Sequence, residues 1–279
     1  MVSVVIVVYC GERFIRETIE RVLEQTYRPK EVIVIDDAST DKTQEIILKN
    51  FNKAVKYYRN ERNMERCYSR NKGYSLSKGE YVFFLDHDDL WEKHHVEKTL
   101  KNWGDAHVVY NFPRRLVDQR GNTIRYSKKK LPTDPKVAVY SGMVGYPSAT
   151  AFRRGYYLEY MDEFMLREDW EVFLRGCHLG YKIKLLDTDT VMIREHAGRT
   201  SKSIRLYEGT KRVYEEYHKK IPQEYLPYFL FHVGDVCMRF GNLGEGWSFI
   251  LRAIKQKPSL LLSGRNLLSI FKRGFRFWR

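Results

Sequence analysis

The sequence lacks the closely spaced cysteines that mark a disulfide framework or a zinc site. Its four cysteines are far apart and form neither a CxxC nor a Cys/His spacing; they are Cys10, Cys67, Cys177 and Cys237. This arrangement predicts reduced, mostly buried thiols in a cytosolic protein.

A long apolar run is also missing. No stretch reaches the ~18 apolar residues that a membrane-spanning helix needs. A strand predicted to begin at Val2 leaves no room for a signal peptide. We therefore expect a soluble or peripherally bound cytoplasmic protein rather than an integral membrane protein.

The glycine-rich fingerprints of nucleotide-binding proteins are absent as well. No GxGxxG follows the first predicted strand, where residues 9–13 read YCGER, and no GxxxxGK[ST] occurs anywhere. Neither a Rossmann cofactor site nor a P-loop is therefore supported. Carboxylates at two predicted strand ends suggest instead that a metal bridges the phosphates of a nucleotide.

Charge is abundant and mostly of one sign. The 279 residues include 49 Lys plus Arg against 35 Asp plus Glu, which leaves a net charge of +14. Such a charge attracts nucleic acid, anionic lipid or phosphorylated substrates, and it does not choose among them. A nucleic-acid binder would cluster its basic residues among aromatics on one element. Apart from those in the last helix, the basic residues of this chain are scattered. We therefore expect no nucleic-acid partner.

Apolar runs typical of buried strands alternate with helical patterns over the first hundred residues. The predicted strands are 3–9, 31–35, 55–58 and 79–85. This alternation predicts an α/β fold with a mostly parallel central sheet flanked by helices. After about residue 204 the pattern is wholly helical. We therefore expect a catalytic domain over 1–204 and a helical C-terminal extension over 205–279.

The strand at 79–85 ends in three carboxylates within four positions, Asp86, Asp88 and Asp89. Carboxylates this close repel one another, so we expect a cation between them, and hard oxygen ligands suit Mg²⁺ or Mn²⁺. In an open α/β sheet, ligands bind at the carboxyl ends of the strands, where this cluster falls. The alternative is a solvated turn in which one Asp caps a following helix.

Three segments farther along the chain bear on the site. Residues 120–122 read as a hairpin turn between two basic stretches. Residues 128–147 hold three prolines and two glycines, which predicts a mobile loop over a site. Asp169 opens an amphipathic helix, and Glu168 with Asp169 can be read either as functional or as charges that favour the helix N-terminus.

Five segments together resemble the family 2 glycosyltransferases with the GT-A fold. They occur in the family's order and roughly its spacing, at residues 3–9, 34–41, 69–73, 79–91 and 168–170. The resemblance covers about residues 2–200 and leaves out the C-terminal quarter. It implies an inverting transfer of a sugar from a nucleoside-diphosphate donor, most often a UDP-sugar, to a hydroxyl of a glycan or lipid-linked glycan.

The resemblance also implies roles for residues that match the family's motifs. Tyr9 and Asp37 match positions that hold the nucleobase, with Asp36 beside them. Arg70 falls in the segment that usually faces the nucleotide. Asp86 belongs both to this donor site and to the metal site.

The metal and the base follow from three further matches. Asp86-His87-Asp88 matches the DxD motif, whose carboxylates hold Mn²⁺ or Mg²⁺ on the diphosphate, and Asp89 is a candidate to share that task. His196 matches a histidine that in some relatives reaches the metal or diphosphate. Asp169 matches the catalytic base. In-line displacement needs a base opposite a departing diphosphate, which agrees with two carboxylate sites far apart in sequence.

Two other enzyme classes remain as alternatives. A sugar-nucleotide nucleotidyltransferase would also use an α/β sheet with a metal, but it should carry a glycine-rich, basic loop after the first strand. A glycoside hydrolase needs two carboxylates flanking one bond and neither metal nor nucleotide.

The C-terminus is strongly basic. Residues 246–279 contain eight Lys or Arg and no acidic residue. On an ideal helix from residue 264, one half of the wheel is apolar: Leu267, Leu268, Ile270, Phe271, Phe275, Phe277 and Trp278. A basic half opposite this one predicts that residues 264–279 contact an anionic membrane at its inner face. The alternative is a helix that packs its aromatics on the protein.

Overall fold

The computed structural model describes residues 1–196 and 203–274, and they contain eleven strands and ten α-helices. The strands are β1 (Val2–Val8), β2 (Glu31–Asp36), β3 (Lys56–Arg59), β4 (Tyr81–Asp86), β5 (Leu90–Trp91), β6 (Val108–Asn111), β7 (Arg115–Val117), β8 (Thr123–Tyr126), β9 (Thr150–Arg153), β10 (Ile183–Leu186) and β11 (Val191–Arg194). The helices are α1 (Ile15–Leu23), α2 (Thr43–Phe51), α3 (Glu65–Leu76), α4 (His95–Lys101), α5 (Pro135–Tyr140), α6 (Glu168–His178), α7 (Arg205–Tyr217), α8 (Leu226–Arg239), α9 (Leu243–Gln256) and α10 (Gly264–Gly274).

The main sheet has seven strands in the order β10-β6-β9-β4-β1-β2-β3. All are parallel to their neighbours except β9, which is antiparallel to β4 and β6. Every residue of β1 and β2 is buried, as expected of strands covered by helices on both faces. The predicted α/β fold with a mostly parallel sheet is confirmed.

The register of the central strands brings their carboxyl ends to one edge. Val8 of β1 lies opposite Asp36 of β2, and Val7 lies opposite Asp86 of β4. Adjacent strands are ~4.8 Å apart. Two strands that end in carboxylates therefore flank the end of β1.

A smaller sheet of four strands has the order β5-β11-β7-β8. Its β7–β8 hairpin turns at Asp118, whose carbonyl accepts the Gly121 amide and whose carboxylate accepts the Arg120 and Asn122 amides. The predicted hairpin turn is confirmed. Strand β11 pairs with β7 in parallel and leads directly towards His196.

The chain forms two compact units that interleave in sequence. One comprises Met1–Leu131, Tyr146–Asp162 and Gly180–Arg199; the other comprises Pro132–Gly145, Glu163–Leu179 and Thr200–Arg279. These units differ from the expected division at residue 204. Two segments group with the C-terminal helices because α5 and α6 pack with them: the Trp170 indole in α6 donates to the Val139 carbonyl of α5, and its ring stacks on Phe229 of α8.

The stretch expected to be a mobile loop contains helix α5. Asp134 caps this helix by accepting the Lys136 amide at 2.8 Å. Tyr225 donates to the same carboxylate at 2.7 Å and stacks on Tyr140. Pro135 is the first residue of this short helix, and the other prolines and the glycines of the stretch flank it.

No helix in the described ranges has the length and apolar character needed to cross a membrane. Three of the cysteines, Cys67, Cys177 and Cys237, are buried free thiols, and Cys10 is an exposed one. Mostly buried, unpaired thiols were expected from their spacing.

Helix α3 packs on β1 through a glycine. A Cβ at Gly73 would stand 2.3 Å from Cγ1 of the buried Val5. We predict that Gly73→Ala lowers the stability of the protein by about 1–3 kcal/mol, because the core cannot take the extra methyl without a shift. Urea unfolding followed by fluorescence measures the change.

The matched control is Gly244→Ala in α9, where an added Cβ meets no atom within 4 Å. It should leave stability unchanged or raise it by about 0.5–1 kcal/mol, because alanine is the better helix former. Equal unfolding midpoints for the two variants would contradict the close packing of α3 on β1.

Candidate functional site

The candidate site lies at the edge where β1, β2 and β4 end. The ring of Tyr9, directly after β1, is 45% exposed. Cys10 follows with a φ of 49°, and its amide donates to Ser39 in the loop after β2. The chain thus turns sharply at the end of β1 and leaves an aromatic ring open to solvent.

Asp36 and Asp37 are buried and hold the loop that follows β2. Asp36 accepts hydrogen bonds from the Tyr57 hydroxyl at 2.6 Å and the Ser39 amide at 2.8 Å. Burial and the bond to Asp36 raise the pKa of Tyr57, so its hydroxyl stays a donor. Asp37 accepts from the Asn60 amide group and from the Met64 backbone. Both carboxylates therefore shape the loop beside Tyr9.

Asp86 at the end of β4 is paired with Arg70 of α3. The guanidinium of Arg70 donates to Oδ1 of Asp86 at 3.0 Å and lies 5.1 Å from the ring centre of Tyr160. Arg70 is almost completely buried, whereas Asp86 is partly exposed. Sequence reasoning assigned Arg70 to the nucleotide-facing segment; the structure places it behind Asp86, where it balances that carboxylate.

Asp88 and His196 meet directly. Nε2 of His196 lies 2.8 Å from Oδ2 of Asp88, although 108 residues separate them in sequence. Burial opposes ionisation of Asp88, but the hydrogen bond from His196 and the charges of His87 and His196 lower its pKa to about 2. Asp88 is therefore ionised at neutral pH.

Asp89 has a different environment. Its side chain is buried and accepts hydrogen bonds from the Ser148 hydroxyl at 2.6 Å and the Arg194 amide at 3.0 Å. Burial, with the neighbouring Asp88 and Asp86 carboxylates, raises its pKa well above the ordinary value. Asp89 thus connects the end of β4 to β11 and to the segment before β9.

Arg194 was not singled out from the sequence. It is almost completely buried, and its guanidinium donates to the Asp88 carbonyl at 2.9 Å, the Gln119 carbonyl at 2.6 Å and the Glu17 carboxylate at 2.8 Å. The only sequence signal was a cation that ends the apolar strand β11. Arg194 holds the Asp88 backbone and itself precedes His196 by two residues. It therefore fixes the positions of both Asp88 and His196.

The structure therefore brings Asp86, Asp88, Asp89 and His196 to one edge of the sheet. Among the side chains of these four residues, those of Asp88 and His196 are joined by a hydrogen bond. In residues 1–196 and 203–274 there is no group of three or more His, Cys, Asp and Glu side chains that could hold a metal ion by itself.

Asp169 lies in the second unit, in the first turn of α6. Its Oδ1 accepts the Trp170 amide at 2.8 Å, and a Cβ at Gly145 would stand 3.4 Å from the same oxygen. Arg167 lies over the Trp170 ring and donates to the Thr210 hydroxyl at 2.7 Å. The turn that carries Asp169 is therefore close to the segment after α5 and is held from α7.

Comparisons with known proteins agree with this architecture. The model of the family described as Glycosyl transferase family 2 matches residues 3–161, which is more than half of the chain. An uncharacterized glycosyltransferase of Rickettsia typhi is 35% identical over 142 residues, which cover 47% of this chain and 44% of that protein. The Escherichia coli UDP-Glc:alpha-D-GlcNAc-diphosphoundecaprenol beta-1,3-glucosyltransferase WfaP is 25% identical over 72% of this chain and 80% of its own.

Solved structures show the same fold. TarS 1–349 of S. aureus superposes with a TM-score of 0.64 at 20% identity, over 98% of this chain and 88% of that one. Its complex with UDP-GlcNAc gives 0.61 at 18% identity, over 94% and 91%. This likeness confirms the GT-A fold expected from the sequence.

We predict that Arg194→Gln destabilises the protein by about 3 kcal/mol, because three acceptors lose a charged donor. Chemical unfolding measures the loss. The control is Arg21→Gln, since Arg21 pairs with the same Glu17 from an exposed position at 3.7 Å. Exposed pairs of this kind contribute about 0.3–0.5 kcal/mol. Similar losses of stability in the two variants would show that the burial of Arg194 adds nothing to the free energy of unfolding.

Proposed function

This chain belongs to glycosyl transferase family 2, and from that premise we propose that it transfers a sugar from a UDP-sugar to a hydroxyl of a glycan or lipid-linked glycan. The observation that carries the proposal is the meeting of Asp88 with His196 at the strand edge that also holds Tyr9. Two comparisons support the donor: WfaP is named for UDP-Glc, and TarS was crystallised with UDP-GlcNAc. WfaP is also named for a diphosphoundecaprenol-linked acceptor, which supports the lipid-linked option.

The donor is proposed to lie across the carboxyl ends of β1, β2 and β4. Open α/β sheets bind ligands at this edge. The exposed ring of Tyr9 gives a nucleobase a surface for stacking. Asp37 and Asp36 hold the neighbouring loop in place. Arg70 orients Asp86 beside the proposed diphosphate.

The residues present fit a divalent cation held jointly by protein and substrate. Mg²⁺ is usually bound by one or two carboxylates together with substrate phosphates, so a cluster of three protein ligands is not required. Asp88 and His196 would hold Mn²⁺ or Mg²⁺, with Asp86 beside them. Asp89 is proposed to position the loop, because its oxygens are already bonded to Ser148 and Arg194. The bound ion would offset the charge of the departing diphosphate.

Asp169 is proposed as the base that takes the proton of the acceptor hydroxyl. Asp169 lies in the first turn of α6, and the Trp170 amide fixes one of its carboxylate oxygens at 2.8 Å. A single displacement with this base would invert the configuration at the sugar carbon. The resemblance of Glu168-Asp169-Trp170 to the family's base motif supports this role.

The reaction type is tested with a panel of nucleotide sugars and Mn²⁺. We expect one or more UDP-sugars to be consumed, with release of UDP and no pyrophosphate. EDTA should abolish the release. A nucleotidyltransferase would release pyrophosphate, and turnover that persisted in EDTA would contradict the metal-assisted reaction.

The roles of Asp169 and Asp88 are separated by comparing Asp169→Asn with Asp88→Asn. We expect Asp169→Asn to reduce turnover by ~10²–10⁴-fold, the usual contribution of a general base. Donor affinity in Mn²⁺, measured by calorimetry, should stay near wild type. Asp88→Asn should instead weaken Mn²⁺-dependent donor binding, because an amide is a poorer ligand for a hard cation. Loss of donor binding in Asp169→Asn would make Asp169 a donor ligand instead.

Helix α10 is proposed to contact an anionic membrane surface. Its polar side faces α8, because Ser269 and Arg273 both bond to Asp235. Its apolar side is turned outward: Leu268 is 72% exposed and Phe271 63% exposed. Ile270 is buried, so the helix packs on the protein through part of its surface only.

An exposed apolar row flanked by basic residues favours an interfacial position. Leu262, just before α10, is 86% exposed and extends the row. Phe275, Phe277 and Trp278, which the sequence assigned to the same face, lie outside the described residues. Phe271 is the aromatic of this face within the described residues, and its 63% exposure favours the membrane contact over the alternative in which the aromatics pack on the protein.

We predict that Leu268→Glu with Phe271→Glu reduces sedimentation with anionic liposomes by about tenfold, because each substitution puts a carboxylate into the row that contacts lipid. Co-sedimentation measures the effect. The control changes Leu48 and Leu179, which are exposed elsewhere, to Glu. Release of UDP in solution should be unchanged in both proteins. Equal sedimentation of the two would contradict a membrane role for α10.

A further inference from the structure

Strand β8 is the outermost strand of the four-stranded sheet, and all four of its residues are exposed. Within the part of the chain that the structure describes, its outer edge pairs with no other strand. Exposed edges of this kind are sites where another molecule can bind.

A surplus of positive charge surrounds β8. Residues 114–130 contain seven Lys or Arg and one acidic residue, Asp118. Arg114 and Arg115 form ion pairs with Asp187, Asp189 and Glu92, three carboxylates just outside the strands. Over the described ranges, three of the other cations have no ion pair: Arg125, Lys128 and Lys130.

An apolar pair accompanies these cations on β8. Ile124 and Tyr126 are both about half exposed. Being two residues apart on a strand, they share one face, while Arg125 lies on the other. We call Ile124, Arg125, Tyr126, Lys128 and Lys130 the β8 strip.

The β8 strip begins beside the candidate site. Strand β7 separates β8 from β11, and Arg194 at the end of β11 lies opposite Val117, which in turn lies opposite Thr123. Two strand spacings make ~10 Å. The Glu195 amide donates to the Val117 carbonyl at 2.8 Å, so the sheet continues to the residue before His196.

The direction of β8 carries the strip away from this point. Because β8 is antiparallel to β7, Thr123 lies at the His196 end and Tyr126 at the far end. Arg114 fixes the start of the lysine segment by donating to the Ser127 carbonyl at 2.9 Å and to the Lys129 carbonyl. Arg125 and the lysine segment therefore follow one another along β8 and beyond it, in the direction away from the site.

We propose that the β8 strip binds an anionic acceptor glycan, a chain whose units carry phosphate or carboxylate groups. This rests on the glycosyl transfer proposed above, because the reacting end of such a chain would lie at the Thr123 end of β8, ~10 Å from Arg194 of the candidate site. The cations attract the charged groups, and the Tyr126 ring offers a flat amphipathic surface to a sugar ring.

Charge disfavours a second copy of this chain as the occupant. Antiparallel pairing of two β8 strands would place Arg125 and the lysines of one copy near those of the other. Like charges on facing strands destabilise the pairing. An anionic chain has the complementary charge.

Fluorescence anisotropy of end-labelled oligosaccharides tests the proposal, with the full chain and saturating UDP and Mn²⁺. The probes are an oligogalacturonate, a phosphodiester-linked oligosaccharide and a dextran oligosaccharide of equal length. We expect at least one anionic probe to bind about tenfold or more tightly than dextran, and to bind less tightly as salt is raised.

The test variant combines Arg125→Gln, Lys128→Gln and Lys130→Gln. It should bind the anionic probe about tenfold or more weakly, since three exposed charge contacts of a few-fold each are removed. The control combines Lys42→Gln, Lys49→Gln and Lys53→Gln, which makes the same charge change near α2 and should bind as wild type. Tyr126→Ala should weaken binding of the anionic oligosaccharide more than binding of linear polyphosphate, which has no sugar ring.

Three results would overturn the proposal: equal affinity for dextran and the anionic probes, equal losses in the two triple variants, or a dimer in sedimentation that the test variant dissociates. UDP binding by thermal shift is measured in the same samples. If the anionic probe bound through the β8 strip but no UDP-sugar was turned over, the proposed glycosyl transfer would be refuted. The binding of anionic glycans by the β8 strip would stand. Turnover with a neutral acceptor only would refute the anionic acceptor proposed for the β8 strip and would leave the proposed glycosyl transfer standing.

Discussion

Three carboxylates at the end of one buried strand must each be balanced, and the rest of the first unit depends on how this is done. Arg70 from α3 balances Asp86, His196 after β11 balances Asp88, and Asp89 accepts hydrogen bonds from Ser148 and the Arg194 amide. Each partner comes from a different part of the chain. Because a buried carboxylate without partners costs several kcal/mol, these contacts draw α3, the small sheet and the segment before β9 to one edge of the main sheet.

The main sheet and the acidic cluster could be predicted from the sequence because their signals are local. A run such as 79–89 contains both its burial pattern and its carboxylates within a few positions. The partners could not be predicted, since Ser148 and Arg194 are 59 and 105 residues from Asp89. Tertiary packing also decided that α5 and α6 group with the C-terminal helices. A short helix within a proline- and glycine-containing stretch gives too weak a periodic pattern to be distinguished from a loop.

Some site residues are exposed to solvent, and the others are buried and hold the site in position. Tyr9 is open to solvent, and Asp88 and His196 are partly exposed, whereas Asp36, Asp37, Arg70, Asp89 and Arg194 are buried and bonded within the protein. A family motif identifies positions in the sequence and not their burial, so it cannot separate the exposed site residues from the buried ones. The excess positive charge divides in a similar way. Arg114 and Arg115 stabilise the small sheet, while Arg125, Lys128 and Lys130 remain available for an anionic partner.

Asp88 and His196 are proposed to hold a metal on a uridine diphosphate bound at the ends of β1, β2 and β4. A crystal structure of the chain with UDP and Mn²⁺, with data collected at the manganese absorption edge, tests it most directly. The account predicts an anomalous peak ~2.1–2.3 Å from Asp88 and His196, with the diphosphate on its other side and the uracil against Tyr9. UDP bound at another edge of the sheet, or manganese that contacts neither Asp88 nor His196, would contradict it.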